Sequence, residues 1–315
     1  MTTCTVGGAA PRSNIRIVGC DGGEVFHILG DGAGTQGVEI VDGGMDGLIE
    51  ANVTVLERTP VRMDGAILRA VKTTVMEVTL ELSVSSLWVD ESFGEVDGRL
   101  REAFSYELDP WNPDSTLARI EWETHEDLRW IEVVLTAGTT WQVDRDPHRR
   151  GWWLLTLKLK AYVPFWQAEP RIEPVTFEVA GSKPVPVDNP TGVPMHHILS
   201  GTVAQWRVSD NTWSGRRWER SPGGRFPNRT LLYPNLTSTH GGIVIDYTPG
   251  KIPVRDKHDT NLVAQMPVPG DYPKFSLPPF MQEQTITVTA VSVPAGGAAM
   301  KVIQPRQYRR PWGRV

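Results

Sequence analysis

The sequence predicts a mainly β protein built from two sheet modules. Three observations point there. Gly 30 and Pro 25 together supply about one residue in six of 315. Short apolar runs are separated by turn-forming clusters, and only one segment has helical periodicity. The length also suits two domains at about 150 residues each, and the composition shift at QAEPRIEP, from residue 167, divides them into 1–167 and 168–315.

In the first module, NIRIVG (14–19), VFHILG (25–30) and VEIV (38–41) read as short strands separated by DGG, DGAG and DGG turns. Residues 51–71 are strand-rich about a central MDG turn. In TTVMEVTLELSV (73–84), Met76, Val78, Leu80, Leu82 and Val84 alternate with Glu77, Thr79, Glu81 and Ser83. Period two over nine residues is a half-buried strand. Residues 90–106 form the helix candidate: Asp90 or Ser92 can cap it, and Val96, Leu100 and Phe104 recur on one face. Strands resume at 115–124, 128–138 and 151–166, the last two joined by DRDPHRRG (144–151), which reads as an exposed hairpin loop.

The second module opens with the Pro-rich, extended segments QAEPRIEP and GSKPVPVDNPTGVP, with VTFEVAG (175–181) as a strand between them. Further strands are expected at 197–210, 229–236, 241–248, 261–267, 284–293 and 298–305. Turn signals about every 10–20 residues describe an antiparallel β-sandwich.

Composition excludes several classes. Lys+Arg 32 against Asp+Glu 37 leaves a net charge of −5, which argues against a dedicated nucleic-acid binder. No apolar stretch approaches the roughly 18 residues of a membrane span, and no secretory signal is visible at the N-terminus. Cys4 and Cys20 cannot build a disulfide framework or a four-cysteine zinc site, which fits assembly in a reducing cytosol.

No catalytic residue, cofactor site or metal site is predicted. GDGAG (30–34) lacks the spacing and the Lys-Ser/Thr of a phosphate loop and reads as a turn. His196 and His197 are adjacent, so on a strand they point to opposite faces. Glu121 and Glu123 share a strand face about 6–7 Å apart, a separation some glycosidases use; a solvated edge is the plainer reading. Among 12 tryptophans, Trp152 and Trp153 must split across their strand. Trp206, Trp213 and Trp218 interleave with Arg207, Arg216, Arg217 and Arg220. Such platforms suit a core, a wet interface, a sugar or single-stranded nucleic acid. The C-terminal cluster Tyr308, Arg309, Arg310, Trp312 is a candidate interface: a tail that folds back and plugs its own sandwich or inserts into a neighbour.

From about 170 to 312 the order KPVPVDNPTGVP, VAQWRVSD, RTLLYPNL, GGIVIDYTPGKIPVRDKHDTNLVAQM, FSLPPF and the ending QPRQYRRPWG resembles the distal tail protein (Dit) type of minor tail protein from siphoviruses infecting actinobacteria. The first half resembles it in strand layout and length. The resemblance implies two β-sandwich domains: an N-terminal belt-type domain with one helix that forms a hexameric ring, and a C-terminal galectin-like sandwich. It implies a virion component at the tail tip, assembled in the host cytoplasm, that joins the tail tube to the tip complex. Its partners would be further copies of itself, the tail tube protein, the tape measure protein and the tail hub and tip proteins, with DNA only passing through the lumen and no membrane contact. The 51–84 region would suit the belt arm that reaches a neighbouring subunit. The alternatives are a carbohydrate-binding module or adhesin touching a host surface glycan through Trp206, Trp213 and Trp218, and a glycan-cleaving enzyme using a carboxylate pair.

Overall fold

A computed structural model describes residues 13–60, 64–138, 145–248 and 250–313. The chain forms two compact units. The first comprises residues up to 167 together with 309–313; the second runs from 168 to 308.

In the first unit β1 (Asn14–Val18), β2 (Val25–Leu29), β3 (Val38–Asp46), β4 (Val53–Arg58), β5 (Ile67–Thr73) and β6 (Met76–Ser85) precede helix α1 (Phe93–Glu102). Then follow β7 (Ala118–Glu123), β8 (Leu128–Leu135), the helical turn α2 (Pro147–Arg150) and β9 (Trp152–Ala161). One antiparallel sheet runs β8–β7–β1–β2 and another β3–β6–β9–β8, with β8 shared. The alternation in β6 does what period two requires: Met76, Val78, Leu80, Leu82 and Val84 are buried. They meet Leu155, Leu157 and Leu159 of β9 through a ten-residue register from Met76↔Ala161 to Ser85↔Trp152.

Helix α1 starts where its chemistry dictates. Ser92 accepts from the Glu95 N–H while the Glu95 carboxylate accepts from the Ser92 N–H, a reciprocal capping box. Val96 and Leu100 are buried; Phe104 is buried too but lies beyond the helix end. The segment expected to be a plain loop at 144–151 instead makes α2. Asp146 accepts from the His148 N–H, Pro147 sits at the first helical position and Gly151 closes the turn at φ 75°. Asp144 lies outside the described residues. Trp152 and Trp153 do not divide cleanly, since both are half-buried; Arg150 covers the Trp152 ring at 3.8 Å.

The second unit comprises β10 (Trp166–Phe177, its first two residues belonging to the first unit), β11 (Gly181–Asn189), β12 (Ile198–Gly201), β13 (Gln205–Ser209), β14 (Trp213–Ser214), β15 (Ser221–Pro222), β16 (Thr230–Asn235), β17 (Ile243–Ile245), β18 (Val254–Asp256), β19 (Met281–Ser292) and β20 (Ala298–Tyr308). Sheets β18–β17–β12–β20–β10 and β11–β19–β13–β16 carry a common core that includes Phe177, Val187, Leu199, Trp206, Tyr233, Ile243, Val288 and Val302. The Pro-rich segment at 181–189 is itself a strand. It sits at a sheet edge, paired only with β19, where a missing N–H removes nothing from the ladder. The strand expected at 261–267 is not formed. Val263–Gln265 is a 3-10 turn started by Asn261, whose side chain accepts from the Val263 N–H at 2.9 Å.

Candidate functional site

The ribbon β4–β5 stands apart from both sheets of its unit as a separate two-stranded pair. Its register runs Val53↔Thr73, Thr54↔Lys72, Val55↔Val71 and Leu56↔Ala70, then shifts at a bulge to Glu57↔Leu68 and Arg58↔Ile67. Thr74 anchors its base, donating from N–H and hydroxyl to the Asn52 carbonyl at 2.9 and 3.0 Å. Asp64 and Gly65 of the expected MDG turn lie at its tip; Met63 lies outside the described residues. Val53, Val55, Leu56, Ile67, Leu68 and Val71 are each 46–63% exposed. The register puts Val53, Val55, Leu68 and Val71 on one face and Leu56 and Ile67 on the other; an isolated hairpin is marginal in water, and one that exposes apolar side chains on both faces is an interaction surface or a liability.

The end of the chain has the opposite fate. Tyr308 is the last residue of β20. Arg309 is half-buried just beyond it, and Pro311 is buried. Residues 309–313 pack into the N-terminal unit. The Arg129 guanidinium, buried in that unit, donates from Nη1 to the Arg310 carbonyl at 2.8 Å and from Nη2 to the Gly313 carbonyl at 2.5 Å. Its Nε holds Asp127 at 2.9 Å. Arg310 pairs with Glu50 at 2.8 Å. The Trp312 ring lies 5.2 Å from Trp122, which meets Trp166 edge-on at 6.1 Å. The tail does not plug the sandwich it follows, as one of the two expectations had it; residues 309–313 belong instead to the N-terminal unit. Arg310 and Trp312 are a latch within the N-terminal unit, whereas Tyr308 belongs to the second unit. Nothing local in the sequence announces Arg129 as their receiver.

The three tryptophans offered as a sugar platform each pack on something different. Trp206 is a core residue with 0% exposure; its indole donates to the Thr202 carbonyl at 3.0 Å and meets Phe177 at 5.7 Å. It presents no face to a glycan, which corrects that assignment. Trp213 is half-buried against the core. Trp218 adopts a left-handed backbone, φ 71°, and its ring meets that of Phe280, itself at φ 55°, at 5.0 Å and a tilt of 52°. Arg217 covers the same Phe280 ring at 4.2 Å.

The carboxylate pair does not face solvent as a pair. Glu121 is buried and both its oxygens are taken, one by Arg16 and the other by Arg119 at 2.6 Å. Glu123 is exposed. His197 is pushed down to about 4, first by burial and then by the neighbouring His196, whose own value burial also lowers. Among the described residues no group of three or more metal-ligating side chains converges. GDGAG forms a turn in which Gly30, Gly32 and Gly34 have positive φ, and a Cβ on Gly30 would strike Asn14 and Ser13. Cys20 is a free thiol; Cys4 lies outside the described residues. Among the described residues no helix is long and apolar enough to cross a membrane.

No protein-family model and no curated protein sequence matches the chain. Solved structures do. The SPP1 Dit (gp 19.1) protein, described as a paradigm of the hub adsorption apparatus in phages infecting Gram-positive bacteria, superposes with a TM-score of 0.50 at 11% identity. The match covers 92% of this chain and 98% of that one. A chain of the phage P2 baseplate in its activated conformation with Ca gives a TM-score of 0.46 at 9% identity, covering 94% and 98%. The chain therefore has a Dit-type, mainly β fold.

Proposed function

We propose that this protein is a structural component of a phage tail tip whose copies close into a hexameric ring joining the tail tube to the tip and hub proteins. On this reading residues 1–167, joined by the 309–313 segment, form the ring-building belt domain and 168–308 the galectin-like domain. Partners are further copies of the chain, the tail tube protein, the tape measure protein and the hub, with the virion tail tip as location. Six copies of a −5 chain carry −30; a lumen of that sign would let DNA pass without sticking, because few basic side chains would be there to displace its counterions.

The observation that carries the reading is the β4–β5 ribbon. In a chain with a Dit-type fold, it is a hairpin with exposed apolar side chains that, among the described residues, joins no other strand. A repeated heterologous contact, arm of one copy on the body of the next, closes into a ring when its rotation divides a full turn. The function needs no catalytic step. What the residues must do is hold shape and present matching surfaces.

Native mass spectrometry and negative-stain imaging of the full chain test it. Sixfold rings are expected for the natural sequence. A double substitution on the arm, Val55→Lys with Leu68→Lys, should leave a folded monomer, because both side chains already face water. Rings unaffected by that change would remove the arm from the contact. A chain that stays monomeric at high concentration and in the presence of the tail tube and hub proteins would overturn the ring itself.

A further inference from the structure

We propose that the outer face of the β18–β17–β12–β20 sheet carries a binding site for a phosphate-type oxyanion, formed by Lys257, Lys301, Ser200 and Thr202. A cleft of about 210 Å³ opens there, with Gly201, Gly241 and Ala299 as its floor. The topology brings these residues together from four distant parts of the second unit. Ser200 of β12 lies opposite Lys301 of β20 and Val244 of β17. Lys257 follows β18 directly, its backbone N–H bound to the His240 carbonyl at 3.2 Å. Beside the floor the backbones lie close: a Cβ on Gly242 would be 2.4 Å from the Gly201 carbonyl oxygen, so the 241–242 turn presses against β12.

The chemistry of the cleft is one-sided. Lys257 Nζ donates to Ser200 Oγ at 2.8 Å. The Ala299 N–H donates to Thr202 Oγ1 at 2.9 Å. Both hydroxyl oxygens thus already accept a bond, and their protons are left to donate outward. Among the described residues neither Lys257 nor Lys301 forms an ion pair, and no carboxylate lines the cleft. The nearest acids on the adjoining turn are committed elsewhere: Asp256 accepts from the His258 and Thr260 N–H groups at 2.8 Å, and Asp259 pairs with Arg255 at 2.9 Å. Two ammonium groups and two hydroxyl donors around a small-residue floor match the oxygens of a tetrahedral anion, to which charge-assisted hydrogen bonds are the strong ones. The ligand could be a free phosphate ion, a phosphomonoester or a phosphodiester within a polymer.

Isothermal titration of the full-length protein at constant ionic strength separates these sources. The probes are inorganic phosphate, glycerol 3-phosphate and dimethyl phosphate, with glycerol as the uncharged control. Saturable, one-site binding of at least one anionic probe is expected, weakened at least about tenfold in Lys257→Met with Lys301→Met. Glycerol should give no heat of binding. The single variant Lys301→Gln, on an exposed side chain, should alone weaken binding severalfold with an unchanged melting temperature. The probe that binds most tightly identifies the source. Affinity unchanged in the double variant, or no saturable binding of any anionic probe, overturns the proposal. This site is independent of ring formation, so either result leaves the arm experiment standing.

Discussion

Replacing Trp312 by alanine tests whether the end of the chain is a structural part of the N-terminal unit. The indole is 39% exposed, so about three-fifths of it is hidden, against Trp122 at 5.2 Å. Roughly 150 Å² removed from water at about 25 cal/mol per Å² gives about 4 kcal/mol as an upper bound. Two effects lower it. The unfolded chain already hides part of the ring, and residues 309–313 regain backbone freedom once they detach. Against detachment stand the two Arg129 hydrogen bonds to Arg310 and Gly313, a charged donor to neutral acceptors worth about 1.5–3 kcal/mol each. The expected loss is about 2 kcal/mol in the unfolding transition of the N-terminal unit, read by urea denaturation. It should come with faster amide exchange across 309–313. Trp88→Ala, which removes a 63% exposed indole from the same unit, is the control and should change stability by less than about 0.5 kcal/mol. A Trp312→Ala protein within about 0.5 kcal/mol of the natural one, with unchanged exchange in the tail, would refute the latch.

Three further outcomes are expected. His197 titrates near 4 in the folded chain against 6.5 for an ordinary histidine. A depressed histidine leaves stability untouched above about 6.5 and costs it as pH falls toward 4, where the unfolded chain takes up the proton first, by at most about 3 kcal/mol. His197→Phe should flatten that slope in urea titrations at pH 7, 5.5 and 4. Glu121→Gln should destabilise by about 2 kcal/mol, because Arg16 and Arg119 lose their shared buried carboxylate; thermal unfolding measures it, and a neutral result would show the guanidiniums to be solvated without it. Ser92→Ala should cost about 1 kcal/mol by breaking the capping box with Glu95, seen as a lower thermal midpoint with α1 helicity otherwise intact.

What the sequence made legible follows from which forces are local. Strand β6 was readable because alternation and burial are the same fact when one face is wet. Helix α1 was readable because Ser92 and Glu95 lie one turn apart and Val96 and Leu100 one turn further on. The same period-two rule places Trp206 and Val208 inward together, so the core role of Trp206 was available from spacing, although its arginine neighbours suggested a surface. Other features depended on competition that pattern does not reveal. Asn261 captured a backbone N–H and turned an apolar run into a 3-10 turn. Pro184 and Pro186 read as lead-in, yet an edge position accommodates them in a strand. The partners of the C-terminal latch were not legible, since Arg129 lies 181 residues before Arg310. The cleft at Lys257 and Lys301 was equally hidden, since it exists only once β12, β18 and β20 are aligned.

The energetics of the arm bear on how its copies would assemble. Six aliphatic side chains about half exposed, at roughly 1.5–3 kcal/mol for burying each completely, offer about 5–9 kcal/mol when covered. Association costs an estimated 4–15 kcal/mol in lost freedom, so one arm on one body is marginal. A closed ring changes the arithmetic. Every subunit then gives one arm and receives another, and the last contact forms between groups already held together, at high effective concentration. The proposed assembly should therefore pass from monomer to closed ring over a narrow concentration range, with open dimers and trimers scarce. Stable open dimers on the way would mean that a second, larger surface carries the contact and that the ribbon only decorates it.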